Sequence, residues 1–261
     1  MVKLVVSDID GTLLFDKSNK LSPRIFQTIR DLQAHGIIFA PASGRSVQSL
    51  QNLFEDMAPE LPLLCDNGGI VFGPGENADS RPIYGMDPIP REDAMQIAHE
   101  IQQFSGVCLS ISTPAGNHVI DDELAEEIQV YANAKVIRIQ KPEDVEGPIL
   151  NVSLVGRGRE REVYEAMAPK WSDRYSVALS GGDWLVFTHA DKGRGLKILC
   201  DALHVDPQDV MAFGDNYNDL SMLELAGQGY IMSGAAPALR EKVRLSCPDV
   251  CDVLKKMMEQ G

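Results

Sequence analysis

Short apolar runs alternate with helical repeats along the first third of the chain. Leu4, Val5 and Val6 read as a buried strand that stops at two acidic residues. Ser22-Pro23 marks a helix start, a capping residue followed by Pro at the first helical position. Ile25, Ile29 and Leu32 then recur at helical spacing until Gly36 closes the element. Ile37 to Ala40 predicts a second buried strand, Ser46 to Met57 a helix, and Leu61 to Cys65 a third strand. That β-α-β-α-β order predicts a parallel sheet with helices on both faces.

The rhythm then changes. Gly73 to Pro90 is dense in Gly, Pro, Asn and Asp and predicts a hairpin followed by a crossing linker. Ala94, Ile97, Ala98, Ile101 and Phe104 mark an amphipathic helix, and "GVCLSIST" with "NHVID" a hairpin. "ILNVSLVG", "YSVALSGG" and "WLVFTHA" are strand-like, with a helix from Arg159 to Ala168 among them. From Asp191 the first rhythm returns. Leu196, Leu199, Cys200 and Leu203 define a helix, "DVMAFGD" a strand, and Leu220 to Ala226 a helix ending at Gly227. The predicted fold is α/β: a Rossmann-like doubly wound parallel sheet core, residues 1–82 with 189–261, split by an inserted α+β cap domain at 83–188.

Composition changes this picture only by exclusion. Apolar residues make up 44% and charged residues 24%, as in ordinary globular proteins. No run approaches the roughly 18 apolar residues that span a bilayer, and the opening apolar run is too short for a secretory segment, so the cytoplasm is the expected location. A net charge of −14 argues against nucleic acid or an anionic membrane as partner, but not against small anions. The five cysteines are odd in number and mostly inside apolar runs, so no disulfide framework is expected, and Cys247 and Cys251 lack a second pair at zinc spacing. Asn151-Val-Ser153 matches a glycosylation sequon in a strand-like setting and reads as a chance match.

The candidate chemistry lies where predicted strands end, the place where open α/β sheets bind ligands. Asp8-Ile-Asp10-Gly-Thr12 follows the first strand, Ser43-Gly44-Arg45 the second, Asn67-Gly68 the third and Gly214-Asp215 the late strand; Lys192 precedes the helix that leads back into the core. In an extended chain, Asp8 and Asp10 share a face. With Asp215 and Asp219 they form an all-oxygen cluster that mutual repulsion forbids without a cation, and oxygen ligands without His or Cys select Mg²⁺ over zinc. "DNYNDL" fails as a calcium loop, because Tyr217 replaces an oxygen ligand and Leu220 stands where Gly is needed. Metal, paired carboxylates, a lysine and a Ser-Gly turn together suggest phosphate chemistry. One carboxylate can attack phosphorus, and a second can move the proton. Mg²⁺, Lys192, the Ser43 hydroxyl and backbone N–H groups would meet the phosphoryl oxygens.

"DIDGTL", "ASGR", "DKG" and "GDNYNDLSML" occur in the order of the four motifs of the haloacid dehalogenase-like phosphatases. With its large insertion between the second and third motifs, the chain resembles the Cof-like, class IIB branch. The resemblance implies Asp8 as nucleophile and Asp10 as general acid/base. It implies Ser43 and Lys192 as phosphate binders, and Asp8, the Asp10 carbonyl and Asp215 as Mg²⁺ ligands. Asn218 and Asp219 would lie in the metal and phosphate shell, Asp219 as a further metal ligand, and Asn67 near the phosphate. Gly44 and Arg45 complete the candidate phosphate- and substrate-binding set. Asn216 stands where many members have Ser or Gly.

Plainer readings exist for most of these residues. Gly-Asp and Ser-Gly are common turns, Arg45 could equally form a surface salt bridge, and Asn67-Gly68 reads as well as a hairpin turn. Lys192 alone would be a solvated lysine, and His118 and His189 read as structural or exposed. Asp-x-Asp-Gly-Thr is different, since four fixed positions recur by chance in on the order of one window in 10⁵. The expected function is therefore a Mg²⁺-dependent phosphatase for a small phosphorylated metabolite. The alternatives are a phosphosugar mutase using the same aspartyl phosphate, or a receiver-like phospho-ligand binder. A dehalogenase does not need the metal cluster. Specificity is expected in loops at Thr113 to Asn117 or Ser180 to Asp183.

Overall fold

The structure, a computed structural model, describes residues 1–15, 20–131, 134–180 and 183–260. They group into two compact units, 1–85 with 191–261, and 86–190. The first segment contributes β1 (Leu4–Ser7), α1 (Pro23–Ala34), β2 (Ile38–Pro41), α2 (Val47–Phe54), β3 (Leu63–Cys65), β4 (Ile70–Phe72) and β5 (Ile83–Met86). Helix α1 buries Ile25, Ile29 and Leu32, the residues its periodicity selects, and starts at Pro23; the Ser22 side chain, however, makes no capping hydrogen bond. Helix α2 is capped by Ser46, whose side chain accepts from the Ser49 N–H. It stops at Phe54, before the predicted Met57, because Glu55 has φ +51° and the chain tightens into a 3₁₀ segment containing Pro59.

The inserted unit contains α3 (Arg91–Ile101), β6 (Cys108–Thr113), β7 (Gly116–Val119), α4 (Asp122–Tyr131), β8 (Val136–Arg138), β9 (Asn151–Val155), α5 (Glu160–Trp171), β10 (Ser176–Ser180) and β11 (Trp184–Thr188). Its sheet runs β10-β11-β9-β6-β7-β8, antiparallel except for the parallel pair β7 and β8. Leu109, Ile111, Val152, Leu154, Leu185 and Phe187 pack with Ile97, Ile101, Val163, Met167 and Trp171 of α3 and α5. Helix α4 and β8 are elements the hydrophobic pattern does not announce. The apolar stripe of α4, Leu124, Ala125 and Ile128, is narrow and set among acidic residues, and it packs with Val119 and Val155.

The returning segment adds α6 (Lys192–Leu203), β12 (Val210–Gly214), α7 (Leu220–Leu225), β13 (Gln228–Met232), α8 (Pro237–Arg240), β14 (Leu245–Cys247) and α9 (Val250–Gln260). The core sheet has the order β14-β13-β12-β1-β2 and is parallel throughout. Leu4, Val6, Ala40, Val210 and Ala212 pack on one side with Leu196, Leu199, Met222 and Leu223 of α6 and α7, while α1 and α9 pack against each other. The expected α/β architecture, a doubly wound parallel core with an α+β insertion, is present.

One strand goes elsewhere. The third predicted strand, β3, touches β2 through a single parallel bridge, Ala42 with Leu64, and otherwise joins a small sheet of order β3-β4-β5. Only three residues long, it is turned back by Asp66, Asn67 and Gly68, all at positive φ, into antiparallel pairing with β4. Buried Arg81 ties this hairpin down by donating to the carbonyls of Leu61, Gly73 and Ala58. In the core sheet, Ser7 pairs with Phe213 on one side and Pro41 on the other, a register that makes β1, β2 and β12 end level. Because β1 connects to β2 while β12 lies on its opposite flank, this edge is the topological switch point. Among the described residues, no helix is long and apolar enough to cross a membrane.

Candidate active site

Where β1 ends, the Asp8 N–H donates to the Phe213 carbonyl at 2.9 Å, and the carboxylate turns inward to become buried. Asp8 Oδ1 accepts from Lys192 Nζ at 2.5 Å. Lys192 is the first residue of α6, a helix capped by the Asp191 side chain, and its own side chain is fully buried. Its ammonium also donates to Asp219 Oδ1 at 2.6 Å. The second oxygen of Asp219 accepts the N–H groups of Asp215 and Asn216, each at 2.9 Å. One buried aspartate thus fixes both the lysine and the turn after β12. Thr12 Oγ1 lies 3.5 Å from Asp215 Oδ1, and Gly11 leaves no room for a side chain: a Cβ there would stand 2.2 Å from Asp215 Oδ2.

Carboxylate oxygens of Asp8, Asp215 and Asp219 lie within 4.8 Å of one another. Burial pushes Asp8 up to about 7, with Asp219 and Asp215 adding to the effect and Lys192 opposing it. Burial, then Asp219, also raises Asp215. Burial pulls on Lys192, yet Asp8 and Asp219 hold its ammonium above the ordinary lysine value. Three carboxylates facing one ammonium leave an excess of negative charge. Asp8 Oδ2 is buried and has no hydrogen-bond partner among the described residues. An orphaned carboxylate oxygen beside an all-oxygen donor set fits a hard divalent cation.

Two further turns meet this cluster. Buried Ser43 donates its N–H to the Leu64 carbonyl and accepts the Asn67 N–H on its own carbonyl, so the turn after β2 is stitched to the turn after β3. Asn218 Nδ2 donates to Asn67 Oδ1 at 3.1 Å, and Gly44 sits against the same amide. Gly68, at φ +89°, lets this turn approach the Asp191 carbonyl at the start of α6, where a Cβ would stand 2.5 Å away. Ser43, Gly44, Asn67, Asn218 and Lys192 therefore come together from four separate segments. Asp10 and Arg45 form a pair of their own: Arg45 Nε donates to Oδ2 at 2.9 Å and Nη2 to Oδ1 at 2.6 Å. The Asp10 carboxylate is exposed and stands outside the group of three buried or half-buried aspartates. Asp8 and Asp10 differ in burial and partner because β1 ends at Ser7 and the chain turns immediately, so strand periodicity no longer governs them.

Three residues that lie within the sequence motifs but carry no assigned role there support the site. Thr12 reaches Asp215, Asp191 caps α6, and the Ser221 hydroxyl accepts the Gly193 N–H. Asp191 was readable as a capping residue before a helix; the Ser221 contact joins positions 28 apart and has no local signature. His118 faces the Ile111 carbonyl and His189 pairs with Asp87, both within the inserted unit. Of the suggested specificity loops, 113–117 is the tight turn joining β6 and β7, whereas Gly181 and Gly182 lie outside the described residues.

The family profile of the haloacid dehalogenase-like hydrolases matches residues 5–253. The chain is 26% identical over 269 residues to a phosphoglycolate phosphatase of Methanopyrus kandleri, covering 100% of this chain and 99% of that protein. It is 24% identical to a pyridoxal phosphate phosphatase of Escherichia coli, covering 95% and 93%. Among solved structures it shares the fold of the class IIB sugar phosphatase BT4131, with a TM-score of 0.78, 18% identity and coverage of 98% and 99%.

Proposed function

Because the chain belongs to the haloacid dehalogenase-like hydrolase family, we propose that it is a phosphatase of the Cof-like, class IIB branch, a Mg²⁺-dependent hydrolase of a small phosphomonoester, a sugar phosphate or similar metabolite. The observation that carries the reading is the buried Oδ2 of Asp8, unpartnered among the described residues, beside fully buried Lys192. In the first step Oδ2 bonds to phosphorus while the bond from phosphorus to the leaving oxygen breaks, and Asp10 gives that oxygen its proton. In the second, water attacks the aspartyl phosphate, Asp10 takes the proton back, and phosphate leaves with Asp8 restored. Lys192 neutralises charge at the attacking carboxylate. Ser43, the Gly44 N–H, Asn67 and Asn218 are the proposed partners of the phosphoryl oxygens.

Asp8, Asp215 and the Asp10 carbonyl would hold Mg²⁺. Asp219, whose oxygens are engaged by Lys192 and two N–H groups, backs them at the edge of the set. When bound, the ion supplies charge neutralisation for the phosphoryl group. Relatives near 25% identity bear the names of phosphatases for quite different metabolites, which supports the reaction class and leaves the leaving group open. The test is a screen of sugar phosphates, nucleotides and phosphorylated cofactors with and without Mg²⁺. Metal-dependent phosphate release by at least one compound is expected, with Asp8→Asn reducing it by roughly 10³-fold or more while the protein stays folded. No release from any compound sinks the proposal, and isomer exchange without release redirects it to a mutase.

A further inference from the structure

Resting on the reading of Asp10 as the proton-transfer group, we propose that Arg45 is its positioning residue: a fork that sets the orientation of the Asp10 carboxyl group, rather than a contact to the phosphate. The geometry is bidentate, Nε to Oδ2 at 2.9 Å and Nη2 to Oδ1 at 2.6 Å. Two parallel N–H···O bonds fix the plane of a carboxyl group, which the single point charge of a lysine does not do. A bidentate partner also leaves each carboxyl oxygen a second lone-pair direction for exchange with a leaving oxygen or a water.

The arm that carries the fork is anchored at its root. The Arg45 N–H donates to Ser43 Oγ at 3.2 Å, and its carbonyl accepts the Asp66 N–H at 3.1 Å, so the turns after β2 and β3 both hold its main chain. Asp10 is bridged locally through its main chain, to Leu14. Its side chain is 57% exposed against 21% for Arg45, and among the described residues Arg45 is the side chain that holds it. An exposed ion pair adds little to stability, so the consequence of this one is orientational. A proton donor works only within hydrogen-bond reach of its target, and an exposed carboxyl group free to rotate spends little time there. The step served is cleavage of the bond from phosphorus to the leaving oxygen, in which Asp10 gives its proton to that oxygen as Asp8 Oδ2 bonds to phosphorus.

Two probes of nearly the same shape separate this role from phosphate binding. Phenyl phosphate needs its leaving oxygen protonated, whereas 4-nitrophenyl phosphate, with a stable leaving anion, depends on that proton far less. Arg45→Ala is expected to lower kcat on phenyl phosphate by a factor about 10 or more larger than on 4-nitrophenyl phosphate. Arg45→Lys, which keeps the charge and loses the fork, should share most of that selective loss. Added to Asp10→Asn, Arg45→Ala should cost less than about 3-fold more, because the two residues act as one unit. Melting curves of each variant establish that it is folded. Equal losses on both probes, carried by KM and undiminished in the Asp10→Asn background, would make Arg45 a substrate-binding residue and overturn the proposal. Full turnover by Asp8→Asn would instead overturn the phosphatase mechanism itself, a result the Arg45 variants cannot mimic.

Discussion

Burial pushes the Asp8 carboxyl up to about 7, from an ordinary value of 3.8, and raises its neighbour Asp215 as well, which ties stability to pH at this site. A carboxyl group that holds its proton more tightly folded than unfolded favours the folded state only while it is protonated. Its contribution is complete below about pH 4 and is lost as the pH rises through about 7. The metal-free protein is therefore expected to become less stable across that window. Asp8→Asn keeps the shape, removes the ionisation and leaves Lys192 paired with Asp219. In the presence of a chelator it should melt several degrees above the parent at pH 8, a difference bounded by ~4 kcal/mol, with the gap closing toward pH 4. Calorimetric scans at pH 4.5, 6 and 8 check this, and parallel pH profiles for the two proteins would contradict it. The sequence could suggest that Asp8 and Asp10 do different work, since two carboxylates two residues apart follow an apolar strand. It could not say that one pairs with Lys192 and the other with Arg45, because those partners lie 184 and 35 positions away.

At the scale of elements, α6 is the part that makes the site buildable. Its first turn delivers Lys192, and its glycines allow close packing: a Cβ on Gly195 would stand 2.6 Å from Gly68 Cα, and one on Gly193 2.8 Å from the Ser221 carbonyl. Gly195→Ala is expected to push the helix off the 66–68 turn, destabilise the protein by about 1–3 kcal/mol and reduce turnover, since Lys192 moves with the helix. Denaturant titration and phosphate-release assays measure both effects, and a variant as stable and active as the parent would show that α6 can shift freely. Legibility at this scale followed length and period. β1, α1, β2, α6 and β12 carry enough apolar residues at period 2 or 3.6, or in an unbroken run, to be read directly. β8 and β14 have three residues each, too few to show a period, and β13 opens with polar and small residues. α9 does bury Val250, Cys251 and Leu254 at helical spacing, a signal within reach of the same reasoning. β3 was readable as a strand, but its sheet was not, because three positive-φ residues after it decide the direction of the chain.

The whole chain enters through its charge and through the distance over which the site is assembled. Residues from both segments of the core line the acidic cluster, so a cation bound there engages the assembled core and has no counterpart in the unfolded chain. Such binding stabilises by RT ln(1 + [L]/Kd), about 2.7 kcal/mol at a hundredfold excess over Kd, which for a protein of this size is a rise in Tm of several degrees. With a net charge of −14, any salt also relieves self-repulsion, so the informative comparison is Mg²⁺ against NaCl at matched ionic strength. Protons compete with the cation at Asp8, whose carboxyl burial pushes up to about 7, so the Mg²⁺-specific rise should be larger at pH 8 than at pH 5.5. Asp215→Asn removes a donor from the set while leaving the Lys192 pairs intact, and should abolish the specific rise without unfolding the protein. If matched NaCl reproduces the whole effect, or Asp215→Asn retains it, then the three aspartates answer to Lys192 alone and the case for a resident cation fails.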